Sequence, residues 1–234
     1  MANIRDASET AAIRSNVLVA ATRLFISKGY ERTTIVDIAK LSGVPKSKIL
    51  YEFSSKEDIL SWLVTKFLDG VTAASNAVAE KLTDDVVLIF IANEVLQLYM
   101  AEMNEDMRNL YLAGYSMSKT SEEVLKRRTN IMFETFGNTF PGFALKDFYE
   151  TEIASMGIMR AYMTVPCDMY FTIESKAQRL VTMLLRIYKA EDEKITEALE
   201  FIEKIDFKAV AKKAVADVFD ELQIHTQNSF PKGE

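Results

Sequence analysis

The amino-acid sequence predicts an all-α protein, with a small N-terminal domain of three helices followed by a larger C-terminal helical bundle. Only eight glycines and four prolines interrupt the 234 residues, which favours long helices over many short strands. Apolar residues recur at intervals of three and four, the spacing that forms one face of a helix. We expect a first domain over 1–55, a second over 56–225 and a disordered tail over 226–234.

The first predicted helix covers Arg14–Lys28 and ends at Gly29. A glycine directly after a basic last turn is the usual left-handed end of a helix. The apolar residues of this segment lie on a single stripe, formed by Ile13, Val17, Ala20, Ala21, Leu24 and Phe25. The stripe predicts that one face of the helix is buried.

Two short helices follow, separated by a turn at Gly43. Thr34 begins the first, and Asp37, three residues later, completes a capping box. Pro45 is favoured at the first position of a helix and begins the second. Two apolar residues, four apart, anchor this second short helix: Ile49 and Phe53. Three short helices with such a turn form a helix-turn-helix, which lays its second element in the major groove of DNA.

A fourth helix begins at Ser55, where Ser55 and Asp58 make another N-terminal capping pair. Its apolar residues continue the helical spacing: Ile59, Leu60, Leu63, Val64, Phe67 and Leu68. We expect this helix to link the two domains, with Trp62 packed between them.

The segment from Ala21 to Leu60 resembles the N-terminal domain of the tetracycline-repressor (TetR) family. The shared pattern is Leu-Phe at 24–25, Gly-Tyr at 29–30, Thr-Thr at 33–34, Ile-Ala at 38–39, Gly-Val at 43–44 and Ser-Lys-Glu at 55–57. The match covers about the first quarter of the chain. It implies a ligand-responsive DNA-binding regulator, usually a repressor, which binds a near-palindromic operator as a homodimer.

The resemblance also implies which side chains contact double-stranded DNA. Thr34 would hold a phosphate, Tyr51 would touch the backbone, and Lys56 would reach a second phosphate. Lys46, Ser47 and Lys48 would face base edges from the first turn of the recognition helix. Lysines are disfavoured at a helix N-terminus by the helix dipole, and a polyanionic partner removes that cost.

Seven further helical segments are predicted in the second domain: Asp84–Met103, Asn104–Met117, Ser121–Phe136, Lys146–Thr164, Glu174–Lys189, Ile195–Ile205 and Lys208–Leu222. The first is apolar nearly all round, as expected for a helix in the middle of a bundle. Thr120 or Ser121 would cap the third, Gly137 would end it, and a loop would follow over Asn138–Leu145.

The pair Lys146–Thr164 and Glu174–Lys189 corresponds to the helices that form a four-helix bundle with a second subunit in the TetR family. The later helix is strongly amphipathic. Ala154, Gly157 and Ala161 on the earlier helix would let helices approach closely, although small residues also suit an ordinary core.

Methionines and tyrosines are concentrated after residue 95 and suggest an adaptable apolar pocket for a small-molecule effector. The candidate lining is Tyr99, Met103, Met107, Tyr111, Tyr115, Met132 and Phe136. For each of them core packing is the alternative. Asn93, Glu94 and Gln97 interrupt the apolar helix, and would either orient a ligand or face solvent. We expect a mostly apolar effector that releases the protein from DNA.

Charge and composition limit the possible functions. The net charge is −6, but residues 1–60 contain nine Lys or Arg and seven Asp or Glu, so the N-terminal segment is the DNA-facing one. The single cysteine, Cys167, excludes an internal disulfide and fits a reducing compartment. No apolar run approaches the length of a membrane span, and Met1–Thr10 does not resemble a secretory signal. These features predict a cytoplasmic protein without membrane contact.

Two alternatives to a regulator remain at this stage. An enzyme is disfavoured, because the chain has one histidine, His225, and no phosphate-binding loop or metal-ligand spacing. We therefore expect no enzymatic activity, cofactor or metal. A helical interaction protein that has lost DNA binding is the second alternative. Leu50 replaces the family's usual aromatic residue, and Pro45 replaces its usual Ser or Thr cap.

Overall fold

The computed structural model describes residues 2–137, 139 and 142–221, which form eleven α-helices and no strand. The predicted all-α fold is confirmed. The helices are α1 (Ala2–Lys28), α2 (Ile35–Ser42), α3 (Lys46–Phe53), α4 (Lys56–Ala79), α5 (Val86–Ala101), α6 (Glu105–Ser116), α7 (Ser118–Phe136), α8 (Leu145–Thr164), α9 (Ile173–Ile187), α10 (Asp192–Ile202) and α11 (Phe207–Glu221). His225 and the predicted tail over 226–234 lie outside the described residues.

The three N-terminal helices end where the sequence predicts. Gly29 and Gly43 adopt left-handed conformations, with φ of 83° and 69°, which glycine reaches without steric cost. At the start of α2, the Thr34 hydroxyl accepts from the backbone amide of Asp37 (3.2 Å), and the Thr34 amide donates to the Asp37 carboxylate (2.9 Å). The predicted capping box is therefore present.

The first helix begins at Ala2, twelve residues before the predicted start at Arg14. Residues 2–12 carry no continuous apolar stripe, so their spacing gave no sign of a helix. Extending an existing helix requires no new nucleus, because each added residue gains one backbone hydrogen bond. The buried part of α1 therefore supports a longer helix than its apolar pattern indicates.

The bundle is built around α5, most of whose apolar residues are buried, including Ile91, Val95 and Leu98 at 0% exposure. Helix α4 runs without a break from the N-terminal domain into this bundle, as predicted. Gly70 allows α11 to lie close against α4, because a Cβ at this position would overlap the side chain of Val218. In the described part of the chain, no helix combines the length and the apolar character that a membrane crossing requires.

The start of α7 differs from the prediction. The helix begins at Ser118, and its N-cap residue, Met117, provides no side-chain hydrogen bond. Neither Thr120 nor Ser121 caps it. Instead the Glu57 carboxylate, from the first turn of α4, accepts hydrogen bonds from the backbone amides of Lys119 (2.7 Å) and Thr120 (3.2 Å). The free amides at the start of a helix need acceptors, and here another helix supplies one.

Candidate functional site

The exposed face of α3 presents polar side chains to solvent. Lys46, Ser47 and Lys48 are exposed in its first turn, and Tyr51 is 87% exposed one turn later. The opposite face is buried through the predicted anchors, Ile49 and Phe53. The first turn of α3 carries no acidic residue. The structure thus brings four of the six predicted DNA-contacting residues onto one exposed helical face.

The other two residues that are predicted to contact DNA lie outside α3 and differ in their exposure. Thr34 is exposed at the N-terminus of α2, where backbone amides favour an anion. Lys56 is partly buried, and its ammonium donates to the carbonyls of Tyr30 (2.8 Å) and Thr33 (3.0 Å). It also lies 4.1 Å from the centre of the Tyr30 ring, and burial lowers its pKa. Lys56 therefore stabilises the turn between α1 and α2.

An acidic residue of α1 faces the recognition helix. The carboxylate of Glu9 lies 3.0 Å from the ammonium of Lys48, and both side chains are more than half exposed. The two residues and Tyr51 border a shallow cleft between α1 and α3. Lys48 is therefore paired with a carboxylate of the protein at the position where it is predicted to contact DNA.

A cavity of about 520 Å³ lies between α4, α5 and α7. This volume is within the usual range for small-molecule sites. Its walls are mainly apolar, and the principal apolar side chains are Leu68, Ile89, Phe90, Ile131, Met132 and Phe136. Its mouth is formed by exposed residues of α4 and α7, among them Asp69, Ala73 and Thr135.

The buried end of the cavity is polar. Glu94 is 1% exposed, and its Oε1 accepts from Nη1 of Arg128 at 2.8 Å. The same guanidinium donates through Nε to Glu152 of α8 at 2.6 Å and through Nη2 to the Ser155 hydroxyl at 3.3 Å. The hydroxyl of Tyr188, which directly follows α9, donates to the other Glu152 oxygen. These contacts form a buried network from the cavity wall to α8 and α9.

A second branch of this network runs toward α6. The amide of Gln97 donates to Oε1 of Glu94 at 3.2 Å and to the Asn93 carbonyl at 3.0 Å. The Tyr115 hydroxyl donates to the Gln97 carbonyl at 3.0 Å. The other carboxylate oxygen of Glu94, Oε2, has no hydrogen-bond partner among the described residues. A buried acceptor without a partner is costly, and such a group calls for an explanation.

Burial and charge act in opposite directions on this network. Burial raises the pKa of Glu94 above its ordinary value, although Arg128 opposes the shift. Burial alone would lower the pKa of Arg128, but the carboxylates of Glu152 and Glu94 raise it well above the ordinary value. Burial, and then the charge of Glu152, raises the pKa of Tyr188. Arg128 is therefore a permanent cation, whereas burial favours the protonated form of Glu94.

The structure brings only two of the seven predicted lining residues to the cavity, namely Met132 and Phe136. Tyr99 stacks on Phe207 on another side of α5, with ring centres 5.4 Å apart. Tyr111 and Tyr115 border a void of about 10 Å³ that is too small for a ligand. Met103 and Met107 lie at the α5–α6 turn, away from the cavity, and Met107 is fully buried.

The polar residues of α5 were the better indicator of the cavity. Asn93, Glu94 and Gln97, the interruptions in an otherwise apolar helix, all line it. Of the two interpretations left open by the sequence, the structure excludes the solvent-facing one for Glu94 and Gln97, because each is 1% exposed. Their spacing of three residues places them on one face of α5.

The outer face of α8 is exposed. Tyr149 and Ile153 are 42% and 51% exposed, and Ala154, Gly157 and Ala161 are exposed as well. A Cβ added at Gly157 would meet no atom within 4 Å. The small residues of α8 therefore do not serve a core within this chain.

Comparison with known proteins identifies a family for residues near the N-terminus, and relatives that match part of the chain. Residues 17–62 match the family model for bacterial regulatory proteins of the tetR family. The HTH-type transcriptional regulator TtgR of Pseudomonas putida is 35% identical over 60 residues, which cover 26% of this chain and 29% of that protein. The HTH-type transcriptional repressor KstR2 of Rhodococcus jostii is 26% identical over 136 residues, covering 46% of this chain and 65% of that one.

These matches span less than a third of TtgR and less than two thirds of KstR2. A longer likeness is found among solved structures. NalD, the secondary repressor of the MexAB-OprM multidrug efflux pump in Pseudomonas aeruginosa, aligns with 78% of this chain and 96% of its own. The TM-score is 0.50 at 17% sequence identity. The similarity supports the overall fold, with an N-terminal helix-turn-helix and a C-terminal helical domain.

Proposed function

Because this chain belongs to the tetR family of bacterial regulatory proteins, we propose that it is a transcriptional repressor. It would bind double-stranded DNA as a homodimer and be released by a small molecule held between α4, α5 and α7. The observation that carries the proposal is the exposed face of α3, where Lys46, Ser47, Lys48 and Tyr51 stand over a buried apolar anchor. A repressor acts on the chromosome, so the predicted cytoplasmic location follows from this function.

The arrangement of α3 supports a role in the major groove. A helix enters that groove with the residues of its first turn against base edges, and this turn carries two exposed lysines and a serine. Thr34 is exposed at the N-terminus of α2, a position that supports a contact with phosphate. Leu50, which replaces the usual aromatic residue of the family, is 37% exposed on the same helix.

The outer surface of α8 supports the proposed dimer. Exposed aromatic and aliphatic side chains at Tyr149 and Ile153 border the small residues Ala154, Gly157 and Ala161. Small residues allow two helices to approach closely, and the larger side chains beside them would supply apolar contact area. A two-fold dimer of this kind calls for a near-palindromic operator, with half-sites about one helical turn apart or more.

The position of the cavity supports control of DNA binding by a ligand. Two of its walls, α4 and α7, are joined at their starts by the hydrogen bonds from Lys119 and Thr120 to Glu57. Helix α4 continues directly from the turn that follows α3. A ligand that separates α4 from α7 would therefore change the angle at which α3 is held. The ligand shifts the equilibrium between the two arrangements of α4 and α7 only as far as its affinities for them differ.

The DNA-binding proposal is tested by electrophoretic mobility shift on the DNA that flanks the gene for this protein. We expect a discrete complex for the wild-type chain, and Lys48→Ala should weaken it by about 1–3 kcal/mol and alter the base preference. Lys126→Ala is the matched control, because it removes the same charge from an exposed position on α7. Equal loss for both variants would contradict a base-reading role for Lys48.

The dimer is tested separately by light scattering at micromolar concentration. We expect the mass of two chains for the wild type. Ile153→Glu combined with Gly157→Glu places charges on the proposed interface and should give the mass of one chain. A monomeric wild-type protein would contradict the proposed dimer.

A further inference from the structure

The buried end of the cavity contains an acceptor that the protein itself leaves unused. Glu94 is 1% exposed and lines the cavity, and its Oε2 accepts no hydrogen bond from the described residues. Apolar side chains of α5 and α7 surround the same space. A ligand that fits here has an apolar body and presents a hydrogen-bond donor to one carboxylate oxygen.

The charges of the network favour a cationic donor. Two buried carboxylates, Glu94 and Glu152, share the single guanidinium of Arg128, which leaves one negative charge without a partner when both are ionised. At the mouth, Arg127 and Asp69 form an ion pair of their own. One positive charge beside Glu94 would therefore neutralise the remaining negative charge at the buried end of the cavity.

The charge of Arg128 does not favour an anionic ligand, because the carboxylates of Glu94 and Glu152 already pair with it. Three of its five N–H groups donate to Glu152, Glu94 and Ser155. An anion at this end of the cavity would also meet the charge of Glu94. Burial raises the pKa of Glu94, as expected for a carboxyl that is removed from water.

We propose that this cavity takes cationic amphiphiles, molecules with an apolar body and a protonated amine whose N–H donates to Oε2 of Glu94. The inference rests on the proposed function in so far as it names the class of effector for the same cavity. It replaces the mostly apolar effector expected from the sequence with one that carries a positive charge.

The test compares three probes that share an eight-carbon chain: octylamine, which is protonated near neutral pH, 1-octanol and octanoate. Their binding to the full-length wild-type protein is measured by calorimetry. We expect octylamine to bind about tenfold or more tightly than 1-octanol, since a charge-assisted hydrogen bond contributes about 1.5–3 kcal/mol. Octanoate should bind most weakly. An equal or stronger affinity for octanoate would overturn the proposal.

Two variants locate the effect. Glu94→Gln keeps the size of the side chain but removes the charge, and should abolish most of the preference for octylamine over 1-octanol. Glu80→Gln removes the same charge from an exposed residue at the mouth of the cavity and should keep the preference. If Glu94→Gln also keeps it, the proposal is wrong. Should that variant not fold, the order of the three probes on the wild-type chain decides alone.

The same probes separate this inference from the proposed function. Octylamine that binds through Glu94 without releasing DNA would support the ligand class and contradict the regulatory role. DNA release by 1-octanol as readily as by octylamine, unaffected by Glu94→Gln, would support regulation through the cavity and overturn the cationic ligand class.

Discussion

The carboxylate of Glu57 accepts a hydrogen bond from the backbone amide of Lys119 at 2.7 Å, which joins the first turn of α4 to the first turn of α7. A second amide, that of Thr120, donates to the same oxygen at 3.2 Å. The two helices meet here at the boundary between the N-terminal domain and the bundle, and they enclose the cavity farther along. In the proposed mechanism, this contact would couple a ligand in the cavity to the orientation of α3.

Replacing Glu57 by Ala should lower the free energy of unfolding by about 1–2 kcal/mol, the usual effect of removing a helix N-cap. The amides at the start of α7 then lose their acceptor. Urea denaturation measures the change. Glu122→Ala is the control, because Glu122 is exposed on α7 and pairs with Lys126 in an exposed i,i+4 contact. A loss for Glu122→Ala as large as for Glu57→Ala would argue against the capping role.

The ammonium of Lys56 should contribute to stability as well as to DNA binding. Lys56→Met removes two hydrogen bonds to the backbone carbonyls of Tyr30 and Thr33 and should lower the free energy of unfolding by about 1–3 kcal/mol. Lys46→Met, at an exposed position on α3, should change it by less than about 0.5 kcal/mol. Thermal unfolding of both variants provides the measurement.

DNA binding by the Lys56→Met variant then distinguishes the structural role from the phosphate contact implied by the family resemblance. A phosphate contact adds about one unit to the slope of log affinity against log salt concentration. If Lys56 makes that contact, the slope should fall by about one in the variant. An unchanged slope with reduced stability would assign Lys56 to the fold alone.

The pairing of Glu9 with Lys48 should restrain DNA binding. Glu9→Gln removes a carboxylate 3.0 Å from the Lys48 ammonium, and should raise affinity for the operator by up to a few-fold, since exposed ion pairs contribute about 0–1 kcal/mol. Glu134→Gln, exposed on α7, removes the same charge far from α3 and serves as the control. The increase should shrink at high salt, and a decrease for Glu9→Gln would contradict the prediction.

The pH dependence of stability should report the burial of Glu94. Burial raises the pKa of this carboxyl in the folded state above its ordinary value of 4.5. Below that ordinary value both the folded and the unfolded chain hold the proton, so Glu94 costs no stability. As the pH rises from 4.5 to the raised pKa, the unfolded chain releases this proton while the folded chain still holds it. The free energy of unfolding therefore decreases over this interval.

The other charged groups that face Glu94 are Arg128 on α7 and Glu152 on α8, and the tyrosine hydroxyls of α6 and α9 complete its surroundings. Glu94→Gln removes the titration, so the stability of the wild type minus that of the variant should decrease from acid toward neutral pH. Glu80→Gln, which removes a carboxylate from an exposed position, serves as the control. Urea unfolding between about pH 4 and 8 measures both, and a flat difference for Glu94→Gln would contradict a raised pKa.

The sequence by itself determined the helices, their caps in the N-terminal domain and the face that α3 exposes. Those features depend on residues three or four positions apart, such as Thr34 with Asp37 and Ile49 with Phe53. Capping and helical periodicity act over that range, so a pattern of residue types is enough to predict them. The small residues of α8 were recognised in the same way, although the pattern left open whether they face a core or solvent.

Only the tertiary structure decided where the cavity lies and how it is connected. Glu57 and Lys119 are 62 residues apart, and Arg128 reaches Glu94 and Glu152 across 34 and 24 residues. The methionines and tyrosines after residue 95 have the composition of a pocket, but which of them face one depends on the rotation of each helix about its neighbours. That rotation is set by the packing of whole faces, such as α11 against Gly70. The spacing of the methionines and tyrosines along the chain does not indicate this rotation.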